Sequence, residues 1–363
     1  MKNTFILILL AYSTLSFGQK RNIELSDIWA SGTFYPKTIN GFVNLNDGKS
    51  YCVQEKNDEG HDAINQYDYV SGSKTKEILN AKDIFGVGKY GINSYSFNQD
   101  QTVVLIYYNS QQIYRHSTRG DFKVIQLNDK KVIGVGKGVR YPSLNPMGTK
   151  LAYVKENDLY VMDLMSQKVK RITKDGEYNT IINGAVDWVY EEEFGMSKGF
   201  EWNSDGNKIA FYRFDESTVK QWQMTTYGMV YPDLYKFKYP KAGESNSVVQ
   251  VFIADAQKGG CKLIDLNSDA DQYIPRIKWT KNPNVLSVQR LNRLQNKWEL
   301  LMVEGNNVQV SLEETNSRYV DITDDLFFLS DKKHMIVSSE RDGYKHLYFH
   351  KVDGPQIFQI TSG

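Results

Sequence analysis

The sequence is poor in cysteine and proline and carries almost no net charge. Its two cysteines, Cys52 and Cys261, are too few for a disulfide scaffold and lack the short spacing of a zinc site. They are either two buried thiols or one bridge between distant segments. Only 8 prolines and 24% charged residues exclude collagenous, disordered and coiled-coil classes. A net charge of +1 offers no positive field, so we expect no nucleic-acid partner.

Long hydrophobic runs are also absent, and the most apolar stretch is a short one at the N-terminus. Residues 5–12 are mostly apolar, follow a cationic start at Lys2, and lead to small and polar residues that end at Gly18. A run this short cannot cross a hydrocarbon core of about 30 Å. We therefore expect residues 1–18 to be a cleaved signal peptide. The remaining chain, residues 19–363, is expected in the periplasm or secreted, without a membrane span.

The chain is rich in aromatic residues, 13% of the total, and it repeats a short marker. In this marker an apolar residue precedes Asn, Ser or Thr, and a turn and an apolar strand follow. Copies recur at intervals of about fifty residues, the period of repeat architectures. One longer interval indicates an insertion between residues 215 and 249. The six copies begin at Leu45, Phe97, Leu144, Trp202, Trp279 and Leu329.

The segments between the markers predict several short strands in each repeat. Residues 150–154, 158–163 and 170–173 alternate apolar with polar side chains and are separated by turn residues. A period near fifty residues with about four strands is typical of a β-propeller blade. The sequence therefore predicts an all-β chain with about six blades. The alternative, a pair of β-sandwiches, would not repeat one marker six times.

Two local patterns suggest chemistry but are better explained by structure. Residues 86–91 match a dinucleotide-binding fingerprint by letters, yet an alternating strand pattern follows where a helix is required. Since Gly134 begins a second copy, we interpret both copies as turns that connect blades. His346 and His350 lie on a predicted strand, which favours a structural role over metal binding. We therefore expect no metal and no cofactor. No local motif assigns a catalytic Ser, Asp and His, so no catalytic residue is predicted in this chain.

Three adjacent glutamates, Glu191, Glu192 and Glu193, follow Asp187 in an aromatic setting. On a helical turn capped by Asp187, neighbouring side chains fan by about 100°, so two of them can approach one ligand. Like charges at this spacing raise one another's pKa unless a cation is present. The run is therefore either a solvated surface patch or a site for a cationic ligand.

Three motifs decide between these readings, because together they resemble one family. They are the letters D-W-V-Y-E-E-E-F at residues 187–194, Y-P-K-A-G at 239–243 with Asn246, and Y-R-H-S at 114–117. They are similar to the N-terminal propeller of the dipeptidyl peptidase IV group, in the prolyl oligopeptidase family of serine peptidases. The resemblance covers nearly all of residues 19–363.

The resemblance implies both a fold and a separation of the propeller from the catalytic domain. In that family an eight-bladed propeller precedes an α/β-hydrolase domain that carries the Ser-Asp-His triad. This chain is therefore expected to hold about six of the eight blades, to lack the catalytic domain, and to be inactive alone. Its expected partners are that domain of the same polypeptide and peptide substrates with a free N-terminus. A homodimer is a further option.

The resemblance also implies roles for individual residues. Glu192 and Glu193 are expected to bind the free α-amino group of a substrate, Arg115 the carbonyl of its penultimate residue, and Glu191 to be structural. The expected activity is release of N-terminal Xaa-Pro or Xaa-Ala dipeptides by an exported serine exopeptidase. Two alternatives stay open: a prolyl tripeptidyl peptidase, and a non-catalytic periplasmic propeller that serves as a binding scaffold.

Overall fold

The computed structural model describes residues 21–88, 90–266 and 271–363, so the predicted signal peptide lies outside the described residues. Helices in this part are short: α1 (Leu25–Trp29), α2 (Ala81–Phe85) and α3 (Trp188–Glu192). No helix in these ranges is long and apolar enough to cross a membrane. Of the described residues, 21–40 belong to a unit of their own. In it, α1 is stabilised where the Glu24 amide donates to Asp27 Oδ2 at 2.9 Å.

The unit that begins at Gly41 is built from short antiparallel strands. In chain order they are β1 (Val43–Asn44), β2 (Ser50–Lys56), β3 (Asp62–Asp68), β4 (Lys74–Asn80), β5 (Ser94–Phe97), β6 (Val103–Gln112), β7 (Thr118–Gln126), β8 (Val132–Leu144), β9 (Lys150–Lys155), β10 (Asp158–Asp163), β11 (Val169–Arg171), β12 (Ile181–Asn183), β13 (Phe200–Trp202), β14 (Lys208–Asp215), β15 (Gln221–Thr226), β16 (Asp233–Lys238), β17 (Val248–Asp255), β18 (Cys261–Leu263), β19 (Gln272–Trp279), β20 (Val285–Asn292), β21 (Lys297–Glu304), β22 (Asn307–Thr315), β23 (Leu326–Phe328), β24 (His334–Ser339), β25 (His346–Lys351) and β26 (Gln356–Gln359).

These strands form six consecutive groups, in which most neighbours in the chain are also neighbours in the sheet. The groups are β1–β4, β5–β7 with the start of β8, the end of β8 with β9–β11, β12–β14 with β17 and β18, β19–β22, and β23–β26. The prediction of an all-β chain with about six blades is confirmed. Strands β9, β10 and β11 lie where the alternating pattern predicts them.

The repeated marker has a structural cause, which Asn145 illustrates. Its Oδ1 accepts hydrogen bonds from the amides of Thr149 and Lys150, at 2.8 and 2.9 Å, and so closes its own turn. Its Nδ2 donates to the Gly206 carbonyl at 3.2 Å, in the next marker turn. Bonds of the same kind join Asn46 to the Gln99 carbonyl, Asn98 to that of Pro146, and Asn203 to that of Pro283. Four of the six markers therefore tie one group of strands to the next.

The apolar core lies between successive groups, where the faces of the sheets meet. Cys52, Ile64 and Val104 belong to the cluster that packs the first group on the second. The two cysteines are free thiols, Cys52 buried and Cys261 exposed. The alternative of a disulfide bridge is therefore wrong. The alternative of two buried thiols is correct for Cys52 and wrong for Cys261. Burial raises the pKa of the Cys52 thiol to about 11.

The two Gly-Val-Gly-Lys copies differ in structure. The first begins directly after α2, and its described residues, 86–88, lead toward β5 of the next group, as a connecting turn should. The second lies inside β8, where Gly134 and Val135 pair with β7. The interpretation as a turn is wrong for this copy, because Ile133 and Val135 are buried and draw the segment into the sheet.

The predicted insertion between residues 215 and 249 forms a hairpin. Strands β15 and β16 pair only with each other among the described strands, and make a separate two-stranded sheet. The hairpin lies after β14 and before β17, so its position in the chain agrees with the sequence prediction.

Candidate functional site

The run of glutamates lies on helix α3, as the sequence predicts. Asp187 caps the helix: its side chain accepts a hydrogen bond from the Tyr190 amide at 2.9 Å, and Ser247 Oγ donates to it at 2.6 Å. Burial raises the pKa of Asp187, and these hydrogen bonds oppose that rise. The buried Tyr190 hydroxyl accepts from the Ile274 amide at 2.8 Å. The helix is therefore anchored at its start and in its middle.

Glu191 faces the interior and is 1% exposed. Its Oε1 accepts hydrogen bonds from the amides of His116 and Ser117, at 2.7 and 3.0 Å. These bonds hold the loop between β6 and β7 against α3. Since Arg115 directly precedes His116, Glu191 also positions Arg115 beside the helix. This contact agrees with the structural role expected for Glu191.

Arg115 and Glu192 form an ion pair, with 3.3 Å between Arg115 Nε and Glu192 Oε2. The Glu192 side chain is 15% exposed and that of Arg115 is 74% exposed. Both residues line a cavity of about 940 Å³, which we call the aromatic cavity. Its other lining residues are Ile113, Tyr114, Trp188, Trp222, Met224, Tyr235, Phe237, Tyr239, Lys241 and Ala242.

Glu193 ends helix α3 and is exposed. It lines a second cavity, of about 370 Å³, that shares Trp188 and Tyr239 with the aromatic cavity. The centroids of these two rings are 4.4 Å apart. The structure therefore brings Arg115 and Glu192 into contact, and places Glu193 on the same helix end in an adjoining cavity.

Sequence reasoning missed one buried acid close to this helix. Glu216 follows β14, is 5% exposed, and lies near Asp187. Burial and, to a smaller extent, the Asp187 carboxylate raise the pKa of Glu216 to about 8, while Lys238 opposes the shift. The letters D-E-S-T at residues 215–218 resemble an exposed polar loop, so no sequence signal distinguishes Glu216 from a surface residue.

Sequence reasoning also passed over the letters G-M-S-K-G at residues 195–199, which match the nucleophile elbow of α/β-hydrolases. That elbow requires a turn from a strand into a helix. Here the segment runs the opposite way, from α3 to β13. Gly199 is explained by packing, because a Cβ there would lie 2.6 Å from the Ala185 carbonyl oxygen. The match therefore assigns no nucleophile. Among the described residues, no three His, Cys, Asp or Glu side chains group as a metal site requires.

Comparison with known proteins identifies relatives of this chain. A family model described as the dipeptidyl peptidase IV N-terminal region matches residues 98–363. Dipeptidyl peptidase 4 of Felis catus is 30% identical over 304 residues, which cover 76% of this chain and 40% of that protein. Prolyl endopeptidase FAP of Mus musculus is 28% identical over 373 residues, which cover 95% of this chain and 47% of that protein.

A solved structure extends the likeness to three dimensions. The crystal structure of Porphyromonas gingivalis dipeptidyl peptidase 4 matches with a TM-score of 0.87 and 34% identity, over 95% of this chain and 50% of that one. This chain thus spans less than half of the curated relatives named above and half of the solved one. It belongs to the family of dipeptidyl peptidase IV N-terminal regions, and its six groups of strands are blades of that family's β-propeller.

Proposed function

We propose that this chain recognises the N-terminus of peptide substrates for an exported serine-type dipeptidyl peptidase. Glu192 and Glu193 bind the substrate α-ammonium, and Arg115 binds the carbonyl of its penultimate residue. The observation that supports this most directly is the Arg115–Glu192 ion pair in the wall of the aromatic cavity. It places a carboxylate and a planar donor side by side, as the start of a peptide chain requires.

The physical basis is the charge of a free amino group. An ammonium at 4 Å from a carboxylate gains about 4 kcal/mol at an effective dielectric constant of 20. An internal peptide bond has no such charge, so this term favours binding of chain ends. Arg115 faces Glu192 through Nε, and the guanidinium carries five N–H donors in all. The N–H groups of Arg115 that do not face Glu192 are exposed and can donate hydrogen bonds to a carbonyl oxygen.

Hydrolysis is assigned to a different part of the polypeptide. The one nucleophile-elbow match in this chain lies in the wrong structural context, and the relatives named above are at least twice as long as the matched region. We therefore propose that an α/β-hydrolase domain of the same polypeptide supplies the Ser-Asp-His triad and releases Xaa-Pro or Xaa-Ala dipeptides. Export is proposed from the signal-peptide pattern of residues 1–18.

Amine capture is tested by binding of an Ala-Pro peptide and its N-acetylated form, measured by titration calorimetry. We expect acetylation to weaken binding by roughly tenfold or more, the usual worth of a charge-assisted contact. The double variant Glu192→Gln, Glu193→Gln should bind both forms equally weakly. Glu304→Gln, an exposed glutamate at the end of β21, is the matched control. Equal binding of the two peptides by the unmodified chain would refute amine capture.

The reaction class is tested on a protein that carries this chain together with the proposed hydrolase domain. We expect it to cleave a Gly-Pro chromogenic substrate and to release dipeptides from longer peptides. Release of tripeptides instead would assign a tripeptidyl peptidase. Retained peptide binding without any turnover would assign a non-catalytic scaffold.

A further inference from the structure

A buried acid that amine capture does not use lies at the root of the β15–β16 hairpin. Glu216 follows β14 and is buried where three segments of the chain meet. Its amide donates to the Thr180 carbonyl at 2.8 Å, and its carbonyl accepts from the Val219 amide at 3.0 Å. Lys238 Nζ, at the end of β16, donates to the Val219 carbonyl at 2.7 Å. The backbone of Glu216 is therefore fixed between the segment before β12 and the hairpin.

The hairpin connects this acid with the loop that carries Arg115. The ring of Tyr114, next to Arg115, lies 6.2 Å from that of Tyr235 on β16, between ring centroids. Tyr178 Oη donates to a backbone carbonyl of the same strand at 2.8 Å. Burial raises the pKa of both Tyr114 and Tyr178, and the nearby Glu216 carboxylate adds to both shifts. Glu216 therefore belongs to one cluster with the tyrosine that adjoins Arg115.

The same acid lies close to the start of helix α3. Asp187 caps this helix, is buried, and accepts hydrogen bonds from the Ser247 hydroxyl and from a helix amide. Its carboxylate adds to the effect of burial on Glu216. Since Glu192 is carried by this helix, one buried acid lies next to both elements that bring Arg115 and Glu192 together.

The charges around Glu216 decide which form of the acid suits this place. The titratable groups near it, taken from every segment of the cluster, are Asp187, Asp215, Lys238, Tyr114 and Tyr178. An ionised Glu216 would be a second buried anion beside Asp187, and Lys238 offsets only part of that charge. Repulsion between the two carboxylates favours separation of the hairpin root from the start of the helix. The neutral acid meets no such repulsion.

We propose that Glu216 is a positioning residue for amine capture: as an uncharged acid it holds the hairpin and helix α3 at the spacing at which Arg115 and Glu192 meet a peptide N-terminus. This rests on the proposed function, because the spacing matters to binding only if that pair receives the substrate. Ionisation of Glu216 loosens the spacing. Peptide binding therefore weakens at alkaline pH by more than the titration of the peptide's own amine accounts for.

The test follows binding of the Ala-Pro peptide by calorimetry from pH 6.5 to pH 9, for the unmodified chain and for Glu216→Gln. An α-amino group titrates near pH 8, so at pH 9 the loss of the ammonium should weaken binding to Glu216→Gln by roughly tenfold. Because burial raises the pKa of Glu216 to about 8, the unmodified chain should lose about threefold to tenfold more. At pH 6.5 the two proteins should bind equally, since glutamine has the size of the neutral acid.

A second variant, Lys238→Met, tests the same titration without altering the acid. It removes the cation that opposes the shift of Glu216, so the extra loss of affinity should begin at a higher pH than in the unmodified chain. An extra loss that begins at the same pH would show that Glu216 is not the group that titrates, and would overturn the proposal.

The matched control is Glu304→Gln, the exposed glutamate at the end of β21, which should keep the profile of the unmodified chain. Urea unfolding at each pH ensures that every titration uses folded protein. Coincident profiles for the unmodified chain and Glu216→Gln, with free peptides still preferred over acetylated ones at pH 6.5, would overturn the positioning role and leave amine capture standing. Equal binding of free and acetylated peptides at pH 6.5 would overturn both.

Discussion

At the scale of residues, three consecutive glutamates have three different environments. Glu191 is buried and accepts two backbone hydrogen bonds, Glu192 faces Arg115, and Glu193 is exposed at the helix end. The cause is the rotation of about 100° per residue on a helix, which turns each side chain toward different surroundings. One short run therefore supplies a structural anchor and two groups that can meet a ligand.

Glu191→Ala should both destabilise the protein and weaken peptide binding. It leaves the amides of His116 and Ser117 without their acceptor, at a cost of about 2–4 kcal/mol in the free energy of unfolding. Glu191→Gln keeps an acceptor oxygen of the same reach and should lose less. Urea unfolding measures the first effect, and calorimetry with a free-amine peptide the second. An unchanged unfolding midpoint for Glu191→Ala would show that the anchor contributes nothing.

At the scale of elements, the marker turn is the repeated contact that joins neighbouring blades. In four of the six blades an asparagine side chain donates to a carbonyl of the following marker turn. Asn98, Asn145 and Asn203 also accept the amides that close their own turns, so each of these three needs a side chain that accepts and donates at once. This dual requirement explains why asparagine stands in these three markers.

Asn145→Ala should cost about 2–3 kcal/mol in the free energy of unfolding, because it removes two acceptor contacts and two donor contacts at a buried site. Asn145 is 2% exposed. Asn46, at the same position of the first marker, is exposed, so Asn46→Ala should cost less than about 1 kcal/mol. Thermal and urea unfolding of the two variants provide the comparison. Equal losses would contradict a role that depends on burial.

The elements also show which features can be predicted from local patterns. Strands β9 and β10 and the cap at Asp187 depend on neighbouring residues, and the sequence predicts them correctly. The ring contacts of Tyr114, beside Arg115, with Tyr235 and Phe237 of the hairpin join segments that are distant in the chain. Alternation shows that these side chains share a face, but it does not show what that face meets. The aromatic cavity therefore becomes visible only in the structure.

At the scale of the whole molecule, two buried titratable groups make stability depend on pH in opposite directions. Burial raises the pKa of Glu216 to about 8, with Asp187 and Asp215 adding to the shift and Lys238 opposing it. Burial lowers the pKa of His350, on β25, to about 4, and Arg341 adds to that shift. Neither ring nitrogen of His350 has a hydrogen-bond partner among the described residues. Between about pH 4 and pH 8, the folded protein therefore holds both side chains in their neutral forms.

This arrangement predicts a maximum of stability near pH 5–6. As pH rises from about 4.5 to 8, the unfolded chain ionises Glu216 while the folded chain keeps its proton, so stability falls. As pH drops from about 6.5 to 4, the unfolded chain protonates His350 while the folded chain does not, and stability falls again. Each limb should amount to on the order of 1–3 kcal/mol.

The measurement is the free energy of unfolding from pH 4 to pH 9 for the unmodified chain and two variants. Glu216→Gln should reduce the alkaline limb alone, because an amide replaces the acid without ionising, while Asp187, whose pKa burial also raises, keeps part of that limb. His350→Leu should flatten the acid limb alone. It removes the buried imidazole, whose pKa burial lowers from its ordinary value of 6.5. If each variant kept the full profile of the unmodified chain, the pH dependence would have to come from other groups.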